Sequence, residues 1–164
     1  MKRNIYLFSI IFLVIDQIIK FFVSSKMILN ESIILINNFL NLTYVQNKGA
    51  AFSLFSGNRI FLIMVGVFAL IIFIYYISKL DKIKEIDVFT YSLFLGGLLG
   101  NLLDRIIYGY VIDYIGVNIS QYRFPIFNFA DICIVVSIIL IIIDMIKEYY
   151  GTNNSRWNNK WKNR

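Results

Sequence analysis

The chain has 164 residues, of which 59% are hydrophobic and 16% charged, and its formal charge is +6. Soluble domains carry roughly a quarter charged residues, so this balance excludes an ordinary water-soluble fold and points to a multi-pass membrane protein. Histidine is absent, which removes the usual general base near neutral pH, His-type zinc sites and every His-assisted serine or cysteine nucleophile.

A helix needs roughly 20 residues to cross a hydrocarbon core about 30 Å thick. Four apolar runs qualify, near Ile5–Val23, Ile60–Ile77, Val88–Leu103 and Ile132–Ile146. The last two are short, and are extended by their flanks or met by a thinner bilayer. The first run follows "MKRN" in the manner of a signal peptide, but Asp16 and Lys20 interrupt it and no small-x-small cleavage site follows. It is expected to be a retained helix. Residues 33–55, "IILINNFLNLTYVQNKGAAFSLF", mix β-branched and aromatic residues with turn signals and predict short strands on the membrane surface. Gly96 and Gly100 give the third run a G-x-x-x-G spacing, a helix-packing device. Cys133, the one cysteine, lies inside the fourth run, so there is no internal disulfide. Residues 1–150 are expected to form a single integral-membrane domain. Residues 151–164 are expected to form a basic cytoplasmic tail, either solvated or resting Trp157 and Trp161 at the inner interface.

Lysine and arginine set the orientation. The N-terminus, the 78–87 loop and the tail together hold ten, against five in the 24–59 and 104–131 loops. The positive-inside rule then puts both termini in the cytoplasm and those two loops outside. It also accounts for the positive charge without nucleic acid.

A carboxylate within or at the rim of a bilayer is costly and needs a partner, water or a job. Asp16 and Lys20 stand i, i+4 on the first helix and can pair as a structural ion pair or as support for a site. Asn101, Asp104 and Arg105 share a face at the outer end of the third span. They read either as a helix-end cluster snorkelling into water or as donors and acceptors of a site. Asn47 and Gly49, in "NKGAAFS", read as an ordinary surface turn or as a place where backbone meets a peptide. Asp113 follows the third span and Asp131 opens the fourth, three residues after Asn128. Both carboxylates therefore fall at the outer interface. Two carboxylates in close approach share a proton, and such a pair acts as general base and general acid toward one water, titrating as a unit. This chemistry needs neither histidine nor metal.

Five blocks carry a resemblance: "DQIIK", "YVQNKGAAFS", "GNLLDR", "VIDYI" and "FNFADICI". Together and in this order they resemble the lipoprotein signal peptidase family, also called signal peptidase II, across essentially the whole chain. The resemblance implies a membrane, mainly α fold: four transmembrane helices, a small extracytoplasmic β-cradle and a membrane-surface helix. It implies a bacterial cytoplasmic-membrane aspartyl endopeptidase that removes the signal peptide from diacylglyceryl-modified prolipoproteins, just before the lipidated cysteine. It assigns catalysis to Asp113 and Asp131, and supporting or substrate-contacting roles to Asp16, Lys20, Asn47, Gly49, Asn101, Asp104, Arg105 and Asn128. It implies no cofactor and no metal. Its implied partners are lipidated prolipoproteins, membrane lipid and globomycin-type inhibitors, and a monomer is expected. A lipid-bearing cysteine stays in the outer leaflet, which is where the charge counts put the two aspartates. Activity is expected to fall in acid, as the pair becomes doubly protonated.

Three other classes read differently. A proton-coupled transporter would line a path through the bilayer with its acids, whereas these cluster at one face. An assembly factor would use the polar groups only to hold helices together. A presenilin-like protease would carry G-x-G-D, which this chain lacks.

Overall fold

Each of the four apolar runs is a helix longer than the run that nucleates it. The computed structural model describes residues 1–49, 55 and 57–162, with side chains to residue 150. The helices are α1 (Lys2–Lys26), α2 (Arg59–Lys79), α3 (Glu85–Ile107) and α4 (Phe129–Lys162). The stretches long and apolar enough to cross a membrane are 25, 21, 23 and 22 residues, the last being Phe129–Tyr150. The two spans that look short in sequence are thus completed by their polar ends. Those ends are helical because Asn101, Asp104 and Arg105 continue α3, and Asp131 sits in the first turn of α4.

α3 is the most buried helix, and α1, α2 and α4 all pack on it. Lipid gives helices no hydrophobic reason to associate, so close backbone approach must supply the contact. Gly96 faces Ser9 and Phe12 of α1, Gly97 faces Ala130 of α4, and Gly100 lies against the Asp16 carboxylate. The outward faces of α1, α2 and α4 are apolar and exposed, as at Phe21, Phe68 and Met145.

The strands expected between the first two helices are β1 (Ser32–Ile36) and β2 (Leu40–Asn47). After α3 come β3 (Val111–Ile119) and β4 (Tyr122–Arg123), giving one antiparallel sheet in the order β1-β2-β3-β4. The register pairs Val45 with Asp113 and Asn47 with Val111, beyond a bulge between Leu42 and Val45. Val23 of α1 and Met27, the residue that caps it, pack with Tyr44, Ile112 and Tyr114, which fixes the sheet to the Lys26 end of the bundle. Backbone N–H groups of Tyr114 and Ile115 donate to the Phe127 carbonyl, tying β3 to the residue before Asn128. Among the described residues there is no separate membrane-surface helix. Residues 50–53 of "NKGAAFS" and the side chains of Trp157 and Trp161 lie outside the described residues.

Candidate active site

The site begins with a buried cation. Lys20 has no exposed surface, and an ammonium has three N–H groups to satisfy. Its Nζ lies 2.9 Å from Asp16 Oδ2, 2.8 Å from Asp104 Oδ2 and 3.0 Å from Asn101 Oδ1. The i, i+4 pair expected on α1 therefore exists, but it is half of a larger cluster. Asp16 Oδ1 accepts from Ala130 N–H at 3.0 Å, joining α1 to the start of α4. Asp104 Oδ2 also accepts from Ile112 N–H at 3.1 Å, joining α3 to β3. Gln17 Nε2 donates to Asp104 Oδ1 at 2.9 Å. Gln17 is a member that sequence reasoning missed. Its signal was present, since an amide beside an acid within a membrane helix has the same need for partners.

Asn101 passes this arrangement outward. Its Oδ1 accepts from Lys20 and, at 3.1 Å, from Asn128 Nδ2. Its own Nδ2 is thereby turned to Asp131 Oδ1, 2.7 Å away. Asn128 is the N-cap of α4. Its Oδ1 accepts from Asp131 N–H at 2.9 Å, while its own N–H donates to Asp131 Oδ2 at 3.1 Å. This reciprocal pair is a capping box with an aspartate in the third helical position. The cap that starts the helix thus also holds the Asp131 carboxylate.

Asp113 is held from the other side. Its Oδ1 accepts from Asn128 Nδ2 at 2.7 Å and its Oδ2 from Asn47 Nδ2 at 2.9 Å. Asn47 Oδ1 takes the Gly49 N–H at 2.9 Å, so this amide is also fixed end to end. Arg105 Nη2 donates to the Gly49 carbonyl at 3.0 Å, and Nη1 to the Asn101 carbonyl at 3.3 Å. All ten residues singled out in the sequence, from Asp16 to Asp131, meet in this one network. Burial is the main influence on the Asp113 carboxyl. With the negative charge of Asp131 it outweighs the hydrogen bonds from Asn47 and Asn128 and the charge of Lys20, raising the pKa to about 6.

Asp113, Asp131, Asn47, Asn101 and Arg105 line one cavity of about 930 Å³. The rest of its wall is largely apolar, from Val111, residues 124–127 and the α4 side chains Ile132, Val135 and Val136. Val135 is more than half exposed, so the wall runs on into the lipid-facing surface of α4. This arrangement suits a substrate with a polar group at the carboxylates and a long apolar part beside α4.

Four apolar helices and a sheet at one end, enclosing a cavity where two carboxylates meet a largely apolar wall, define a multi-pass membrane protein with a hydrolase-like polar site. The family model described as signal peptidase (SPase) II matches residues 8–147. The lipoprotein signal peptidase of Syntrophus aciditrophicus is 36% identical over 156 residues, covering 90% of this chain and 97% of that protein. That of Staphylococcus aureus is 36% identical over 142 residues, covering 87% of each. A bacterial membrane enzyme solved by the in meso method at 2.3 Å superposes with a TM-score of 0.83 at 34% identity, over 90% of both chains. A second, solved at 1.9 Å, gives 0.78 at 35% identity, over 87% of this chain and 92% of that one. The chain belongs to the signal peptidase II family and is a membrane-embedded signal peptidase.

Proposed function

We propose that this peptidase is of the aspartic type. It would cut the signal peptide from diacylglyceryl-modified prolipoproteins at the outer leaflet of a bacterial cytoplasmic membrane, with Asp113 and Asp131 as its dyad. One observation carries the reading: two carboxylates line the same cavity, and amides that cannot turn hold them there. The raised pKa of Asp113 favours a pair that shares one proton. The ionised member takes a proton from a water as its oxygen attacks the carbonyl carbon before the lipidated cysteine. The protonated member donates to the carbonyl oxygen. Collapse of the tetrahedral species passes a proton to the leaving cysteine nitrogen and restores the shared proton. Arg105 Nε is buried and has no partner among the described residues, leaving a donor for a substrate carbonyl. The apolar wall beside α4 suits the diacylglyceryl chains, and both termini face the cytoplasm.

The test uses purified protein, a precursor peptide with and without the diacylglyceryl thioether, and globomycin. The lipidated peptide is cut before its cysteine, the bare peptide is not, and globomycin stops the reaction. Asp131→Asn loses at least about a hundredfold in kcat, the scale of general acid–base catalysis. Equal cleavage of both peptides, or an Asp131→Asn enzyme at full rate, defeats the proposal.

A further inference from the structure

We infer that Arg59 is a positioning residue for the carboxylate site, acting through the last turn of α3. The inference rests on the peptidase reading.

Judged within its own helix, Arg59 is badly placed. It is the first residue of α2, whose first turn holds no acidic residue and whose N-cap, Asn58, makes no side-chain cap bond. A cation at a helix N-terminus meets the positive end of the macrodipole. A locally unfavourable choice of this kind marks a position set by something outside the element. That something is the opposite end of α3. Arg59 Nε donates to the Arg105 carbonyl at 2.9 Å, and Nη2 to the Ile106 carbonyl at 2.7 Å. These are two of the four terminal carbonyls of α3 that have no partner within the helix, at its negative end. The planar guanidinium spans two successive carbonyls, which an ammonium cannot do in the same way. Gly66, seven residues along α2, lets the helices touch: a Cβ there would meet Leu102 Cδ1 at 3.0 Å.

The turn beneath Arg59 joins the two halves of the site. Asn101 and Arg105 lie before it on α3, and Asp113 lies after it on β3. The chain reverses at Gly109, whose φ of +84° suits glycine, and a Cβ there would stand 3.4 Å from Arg59 Cδ and Nη1. The Asp104 bond to Ile112 N–H braces the inner side of this turn. Arg59 braces the outer side and holds the backbone of Arg105, whose side chain reaches Gly49. Arg59 is not among the residues lining the carboxylate cavity. Its effect on the reaction is therefore the angle at which α3 hands the chain to Asp113.

The test compares wild type, R59K and R59Q as purified full-length protein, by amide hydrogen exchange over residues 107–113 and by cleavage of the lipidated peptide across pH. In R59Q, exchange in this turn quickens and kcat falls by about tenfold, a misplacement effect, while KM stays within about twofold. The pH–rate profile of R59Q moves as well, because the surroundings of Asp113 have changed. R59K lies between the two. Wild-type exchange in R59Q overturns the inference. So does an R59Q protein that merely melts earlier, with its folded fraction keeping the wild-type kcat and pH profile. A wild-type protein that leaves the lipidated peptide uncut defeats the peptidase reading instead, and the exchange data still decide the role of Arg59.

Discussion

At Asn101 the side-chain amide can lie only one way round. Its oxygen meets the Lys20 ammonium, which can only donate, so its nitrogen must face Asp131. Asn47 and Asn128 are constrained in the same manner, and each spends an N–H on Asp113. Three asparagines thus do the orienting that histidine does at many hydrolytic sites. The hydrogen bonds from Asn47 and Asn128 lower the pKa of Asp113, but burial outweighs them. This has a consequence for pH dependence. Burial raises Asp113 to about 6 from an ordinary 3.8, and the proposed dyad, titrating as a unit, then has its upper step near that value. The singly protonated pair then declines as pH rises through about 6 in the free enzyme, and below its lower step in acid, so kcat/KM should trace a bell. Stability takes a different course. Between about pH 4 and 6 the folded Asp113 binds a proton that the unfolded chain has released. Its contribution therefore improves as pH falls through that window, and its ionised form costs on the order of 3 kcal/mol above it. Melting temperature and kcat/KM measured on one pH series separate the two effects. A flat rate profile contradicts the shared proton, and an acid limb that coincides with a fall in melting temperature contradicts the titration of the pair.

Elements were the most legible level in the sequence, and contacts between elements the least. A long, mostly apolar run such as Ile60–Ile77 can hardly be anything but a spanning helix, and "IILINNFLNLTY" reads as short strands, though not as strands paired with each other. The i, i+3 spacing of Asn128 and Asp131 is visible in the sequence, but that it forms a cap emerges only from the structure. By contrast, Gly100 reads only as a packing glycine, and nothing near it in the chain says that Asp16 is what packs there. Gln17 and Arg59 were missed for the same reason: each acts on a carboxylate or a carbonyl of another helix. The expected surface helix is tied to no particular residues in the sequence, and no separate one occurs among the described residues. The Lys20 cluster shows what such long-range contacts are worth, since one ammonium joins α1 to α3 while its two aspartates reach α4 and β3. Lys20→Met keeps most of the length of the side chain but leaves two buried carboxylates facing each other without a cation. Removing one partner of a buried ion pair costs about 3–5 kcal/mol. The expected outcome is a loss of that order in detergent unfolding, together with reduced activity as Asn101 loses one of the two donors that fix its oxygen. Unfolding at the wild-type midpoint would mean that these charges are not held together in the membrane.

At the scale of the whole molecule, the sheet, the C-terminal end of α3 and the first turn of α4 all lie at the Lys26 end of α1. The opposite end is tied by Lys2 to the Ser78 carbonyl and by Lys84 to Asp144. The loop at that end is short and lysine-rich, and the positive-inside rule puts it in the cytoplasm. In the proposed orientation the carboxylate cavity faces the outer leaflet, where a lipid-modified cysteine would lie with its chains along Ile132 and Val135. Cys133 is 2% exposed, so a cysteine placed elsewhere reports almost alone to a thiol reagent. In intact cells, a membrane-impermeant maleimide should label Glu31→Cys, beside β1, and spare Lys82→Cys until the membrane is opened. Both positions carry long polar side chains at the ends of the bundle, away from the cavity lining, and both variants should keep peptidase activity. Labelling of Lys82→Cys in sealed cells, with Glu31→Cys protected, would turn the bundle over. The cavity would then open to the cytoplasmic leaflet, where a diacylglyceryl group held in the outer leaflet cannot reach it. Labelling in the expected sense leaves the apolar wall of α4 in the same leaflet as the lipid chains, so the uncut bare peptide should compete only weakly with the lipidated one. The ratio of the inhibition constants of a bare and a lipidated competitor measures how much of the binding that wall supplies.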